Sequence, residues 1–130
     1  MRIGLVGTES DHAEDALRMF NREERFPGFR VAALWGAEAD HARTRRLARR
    51  YDVAEIVAGP DALLGKVDAV VVGARDGRLH LGHALPYLEA GLPVFIDKPL
   101  ACSVADAHKL LDTSAAAGAP MFSASALRWQ

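Results

Sequence analysis

The sequence predicts a doubly wound α/β domain built on a six-stranded parallel sheet, and three observations carry that expectation. Six short apolar runs recur along 130 residues, separated by segments of helical spacing. Gly and Pro punctuate the joins between them. The most informative run, Pro93-Val-Phe-Ile-Asp-Lys-Pro-Leu100, is apolar up to a charged end. That is the pattern of a strand buried on both faces, with polar groups at the carboxyl end where open α/β sheets hold ligands.

The elements follow in order. Residues 2–6 read as a first strand, closed by Gly7. Asp11 with Glu14 forms a capping-box-like helix start, and Ala13, Ala16, Leu17 and Phe20 continue at helical spacing. Pro27-Gly28 breaks the chain before a second strand over 29–35, which ends at Gly36. A helix rich in Ala and Arg spans roughly 39–50, and Val53 to Val57 is a short third strand. Gly59-Pro60 opens a brief helical turn. Asp68 to Gly73 is a fourth strand, and Arg75-Asp76-Gly77-Arg78 is a turn by composition. A helix over roughly 79–90 ends at Gly91, with a kink expected at Pro86. Residues 93–97 are the fifth strand. The Lys98-Pro99 bond after it is a candidate for a cis peptide, against a base rate of about 5–6% of such bonds. Ser103 and Asp106 open a helix that closes at Gly118, and Met121 to Ser125 is the sixth strand. Alternating strands and helices imply right-handed crossovers and the strand order 3-2-1-4-5-6.

Composition bounds the function classes. Hydrophobic residues make up 50% and charged residues 25%, an ordinary globular balance for one domain over 1–130. The formal net charge of −1 gives no electrostatic case for nucleic acid or an anionic membrane. Five arginines between Arg43 and Arg50 lack an aromatic stacking platform beside them. No apolar run reaches the ~20 residues of a membrane span. Met1-Arg2 leads directly into a strand, so no signal peptide is expected. The one cysteine, Cys102, excludes an intrachain disulfide and fits a reducing, cytoplasmic setting. It has no evident partner base and reads as a small packed residue.

Four stretches could carry chemistry. The turn Gly7-Thr8-Glu9-Ser10-Asp11-His12 keeps only the first glycine of a dinucleotide fingerprint, with Glu9 and His12 at the other two glycine positions. Its alternative reading is a plain strand-to-helix turn whose acids cap the helix. At the end of strand two, Gly36 stands where an acid usually holds ribose hydroxyls. Glu38 there opposes a 2′-phosphate, whereas Arg43 and Arg45 could serve one, or belong to a solvated face. His80 and His83 share a helix face after strand four, but no further ligand at metal spacing supports a metal site. A cleft-edge position suits Arg75, Asp76 and His80. Lastly, Lys98 at a cleft can act as a general acid or base, or stand as a surface lysine paired with Asp97.

Together, Val67-Asp-Ala-Val-Val-Val72, His80, Tyr87-Leu-Glu-Ala-Gly91 and Pro93-Val-Phe-Ile-Asp-Lys-Pro-Leu-Ala101 resemble the core signature of the Gfo/Idh/MocA oxidoreductase family, glucose–fructose oxidoreductase and inositol dehydrogenase among them. The family's usual Glu-Lys-Pro is Asp97-Lys98-Pro99 here. The resemblance implies a Rossmann-like NAD(P)-binding domain acting by hydride transfer on a sugar, polyol or related small molecule. It makes Lys98 the catalytic proton donor or acceptor. It also places Gly7, Thr8, Ser10, Asp11, His12, Gly36, Ala74, Arg75, Asp76, His80, Asp97 and Lys98 along the NAD or NADP cofactor. His80 is then either a cleft residue or a structural anchor. The family's second, substrate-binding domain is absent from this chain, so the isolated 130 residues are expected to be inactive and to meet substrate only with such a domain. Apolar surface near the last strand, including Leu127 and Trp129, is expected to drive homo-oligomer formation. The alternative reading is a non-catalytic binding or dimerisation module with a degenerate cofactor site.

Overall fold

The computed structural model describes residues 1–125. Six strands form one sheet: β1 (Arg2–Val6), β2 (Arg30–Trp35), β3 (Glu55–Ile56), β4 (Ala69–Val72), β5 (Val94–Asp97) and β6 (Met121–Ala124). Their order is β3-β2-β1-β4-β5-β6 and every pairing is parallel, as the sequence predicts. Four helices connect them: α1 (Asp11–Leu17), α2 (His41–Arg50), α3 (His80–Glu89) and α4 (Val104–Ala117).

Successive strand residues point to opposite faces, and this splits the core in two. Ile3, Leu5 and Leu34 face one layer with Ala13 and Leu17 of α1 and Leu47 of α2. Val6, Val70, Val72, Val94 and Ile96 face the other, with Ala84, Tyr87 and Leu88 of α3 and Leu110 of α4. Each fully buried Val, Leu or Ile side chain here stabilises the fold by about 1.5–3 kcal/mol. The first face is left partly uncovered at β5 and β6. There Phe95 and Phe122 lie ring to ring at 5.9 Å, and Phe122 is 56% exposed.

Local differences from the sequence expectation have physical causes. The cap of α1 is Ser10, not Asp11: its hydroxyl accepts the Ala13 N–H, so the helix starts one residue earlier. α1 widens into a π turn over Arg18–Arg22. β3 shrinks to two residues, although Val57 N still donates to Leu34 O. The segment after Gly59 is a succession of four-residue turns rather than one helical turn, with Ala62, Leu64 and Lys66 each donating to the carbonyl three residues back. Pro86 lies within α3, which continues past it to Glu89. Ser103 caps α4 as expected, accepting from Asp106 N. The Lys98–Pro99 peptide is cis. Cys102 is exposed, not packed. The apolar surface expected at Leu127 and Trp129 lies outside the described residues. Among the described residues no helix is long and apolar enough to cross a membrane.

Candidate functional site

From β1 the chain runs through α1 to β2 on one side, and it returns after β3 to β4 on the other, so the connections that follow β1 and β4 part to opposite faces of the sheet and leave a crevice at the carboxyl ends of these strands. Gly7 forms its floor. Its φ is +91°, and a Cβ there would lie 2.6 Å from the Ala74 backbone nitrogen, so only glycine allows the two strand ends to touch. This retains the first glycine of the fingerprint for a steric reason.

The following loop is held by side chains. The Ser10 hydroxyl donates to Gly73 O at 3.0 Å, fixing the start of α1 to the end of β4. Glu9 and Arg75 bind each other twice: Arg75 N donates to Glu9 Oε1 at 2.7 Å, and Arg75 Nη2 donates to Glu9 O at 3.0 Å. From the other side, Arg43 Nε donates to Thr8 O at 2.6 Å and Nη2 to Ser10 O at 3.2 Å. The carbonyls of Thr8, Glu9 and Ser10 therefore each accept from a guanidinium.

At the end of β2 the place of the usual acid is filled. Thr8 and Thr44 are buried, with their hydroxyl oxygens 2.7 Å apart. A Cβ at Gly36 would lie 2.1 Å from Thr44 Oγ1 and 2.3 Å from Thr8 Oγ1. Just before it, Trp35 makes an edge contact with His83 of α3 at 5.3 Å between ring centroids. His83 Nδ1 is buried without a hydrogen-bond partner, and burial holds the ring's pKa below its ordinary value.

At the end of β5, Asp97 is buried and His12 Nδ1 lies 2.7 Å from its Oδ2. Lys98 follows, exposed. Its turn is tied to β4 by His80, which is fully buried. The His80 ring sits between two carbonyls, Nδ1 at 2.7 Å from Pro99 O and Nε2 at 2.7 Å from Ala74 O. Ser10, Asp11, His12, Arg75, Asp97 and Lys98 line one polar cavity of about 230 Å³. His12, Asp97 and Lys98 also line a larger apolar cavity that runs along Gly73, Val71 and Phe95.

The structure thus brings together six of the expected site residues in one cavity. It places Gly7 and Ala74 in the crevice floor, and Thr8 and Gly36 against the Thr44 hydroxyl. His80 lies inside, in the anchoring position. Asp76 caps the turn before α3 and binds the Arg78 guanidinium and backbone N–H, which hold its carboxyl down at about 2. Thr44 and the loop-holding role of Arg43 carry no sequence signal, because their partners lie 33 to 36 residues away at no fixed spacing. Among the described residues no three His, Cys, Asp or Glu side chains converge as a metal site.

The donor set tests the fit of a dinucleotide. The Arg75 guanidinium and the Lys98 ammonium suit phosphate and hydroxyl oxygens at the β4–β5 end. The filled position at Gly36 departs from the usual pattern only at the adenosine ribose. The crevice therefore fits the group at its β4–β5 end, while Glu9 and His12 stand at the two lost glycine positions of the fingerprint and the ribose contacts are rearranged.

Residues 1–125 match the model of an oxidoreductase family with an NAD-binding Rossmann fold, GFO_IDH_MocA. The chain is 35% identical over 124 residues to the inositol 2-dehydrogenase of Gluconacetobacter diazotrophicus, covering 89% of this chain and 34% of that protein. It is 34% identical over 131 residues to inositol 2-dehydrogenase 1 of Saccharopolyspora erythraea, covering 98% and 37%. A solved Gfo/Idh/MocA family oxidoreductase from Vibrio cholerae superposes with a TM-score of 0.81 at 25% identity, covering 95% of this chain and 38% of that one. The chain spans about a third of the length of the relatives it matches.

Proposed function

This chain belongs to the Gfo/Idh/MocA oxidoreductase family, and from that premise we propose that it is the nicotinamide dinucleotide-binding part of an enzyme acting on a polyol, sugar or related small molecule. One observation carries the reading. Lys98 stands at the carboxyl end of β5, on the same cavity as Ser10, His12 and Arg75 at the switch point of the sheet. Bound there, the dinucleotide would supply or take up the hydride.

The chain's own residues do the rest. Arg75 offers guanidinium N–H groups to phosphate oxygens. The Lys98 amine takes the proton from a substrate hydroxyl during oxidation, or returns it to the carbonyl during reduction. Asp97, held by His12, and the buried His80 fix the turn that carries this lysine. Val71 and Phe95 give the adjoining cavity an apolar wall beside this lysine.

The test is Lys98→Ala in a protein of the relatives' full length, assayed for dinucleotide-dependent oxidation of a polyol panel. Turnover is expected to fall at least about a hundredfold, the scale of a lost general acid–base group. A fall of less than about tenfold would contradict the role assigned to Lys98.

A second reading, a non-catalytic binding module, is favoured by one feature: the Glu9 carboxylate occupies the Arg75 N–H at the middle glycine position. The homo-oligomer is likewise a proposal, supported by the exposed Phe122 beside Phe95 on the uncovered sheet face. Sedimentation of the chain at rising concentration checks it, and a clean monomer throughout would refute it.

A further inference from the structure

We propose that this cleft selects NAD(H) over NADP(H), an inference that rests on the dinucleotide reading above. The two cofactors differ by one phosphate on the adenosine ribose, which carries about −1.5 to −2 charge at neutral pH. A protein that takes NADP must offer a cation or spare N–H and O–H donors at the end of β2. One that takes NAD needs acceptors for ribose hydroxyls there.

The donors at the end of β2 are already engaged. The Thr44 hydroxyl donates its one proton to Asp40 O at 3.0 Å, so the Thr8 hydroxyl must be the donor in their 2.7 Å contact. Both protons point into the fold. The Gly36 position can carry no side chain, because both hydroxyl oxygens already stand in its Cβ space.

The cation expected to serve a 2′-phosphate is also engaged. Arg43 is turned onto the Thr8 and Ser10 carbonyls, with Asp11 at 3.5 Å and Glu14 at 3.6 Å beside its guanidinium. Arg45, Arg46, Arg49 and Arg50 gather with Ala42 on a surface of α2 that includes no crevice residue.

What remains directly after β2 is anionic. Glu38 is exposed and Asp40 half-buried in the 3₁₀ turn over Glu38–Asp40. Their charges make the segment directly after β2 anionic, which disfavours a 2′-phosphate and offers ribose hydroxyls acceptors.

Titrating the folded chain with NADH and with NADPH, followed by nicotinamide fluorescence, tests the inference. NADH is expected to bind at least about tenfold more tightly, and the gap should narrow as salt screens the carboxylates. Glu38→Gln, at an exposed position, should narrow it further by improving NADPH alone. Arg43→Ala should weaken both cofactors alike, since its side chain holds the loop and not the phosphate. NADPH binding as tightly as NADH would overturn the proposal, and so would a selective loss of NADPH in Arg43→Ala. If neither cofactor binds at millimolar concentration, the dinucleotide reading itself falls, and the selectivity with it.

Discussion

Gly36 and Thr44 decide together what the end of β2 can hold. From sequence, Gly36 is an acid missing from its expected place. In the structure it is a position that two hydroxyls have filled. Restoring the acid with Gly36→Asp therefore forces Thr8 and Thr44 apart, an overpacking expected to cost about 1–3 kcal/mol in urea unfolding. Adding Thr44→Ala should recover part of that loss, and an unchanged midpoint in the single variant would contradict the packing described. Glu9 is similar: it reads as an intruder at a glycine position, yet it pairs with the Arg75 backbone. Lys98 and Asp97 were legible because a short apolar run ends on them. The His12 bond to Asp97 was not, since it joins residues 85 apart and no local pattern encodes that.

At the scale of elements, α3 links the two ends of the site. His80 in its first turn holds the Lys98 turn, and His83 one turn on packs against Trp35 at the end of β2. The shared helix face was legible from the three-residue spacing, but the different fates of the two rings depend on what the sheet brings beside them. Burial holds the His83 pKa below the ordinary 6.5. The unfolded chain then binds a proton that the folded chain resists, so stability falls as pH drops below that value. The urea midpoint of the wild type should decline between about pH 7.5 and 5.5, and His83→Leu should flatten that part of the profile. Equal slopes in the two proteins would contradict it. The π turn after α1 was not legible. It is fixed by Asn21, whose amide donates to Val31 O and Tyr51 O and accepts from Val31 N, three long-range bonds.

At the scale of the whole molecule, the strand order was the most legible feature. Apolar strand runs alternating with helical spacing leave few ways to cover both faces of a parallel sheet. The alternation of Leu5 and Val6, or of Val70 and Val71, then assigns side chains to one layer or the other. The crevice follows from that order, because it opens where the connections after β1 and β4 part to opposite faces of the sheet. The central claim is that this crevice binds a nicotinamide dinucleotide, and backbone amide shifts of the isotope-labelled chain on addition of NADH test it most directly. The account predicts that the largest shifts fall on Gly7, Ser10, His12, Gly73, Arg75 and Lys98. Shifts confined to the uncovered sheet face at Phe95 and Phe122, or none at millimolar NADH in a folded chain, would contradict it.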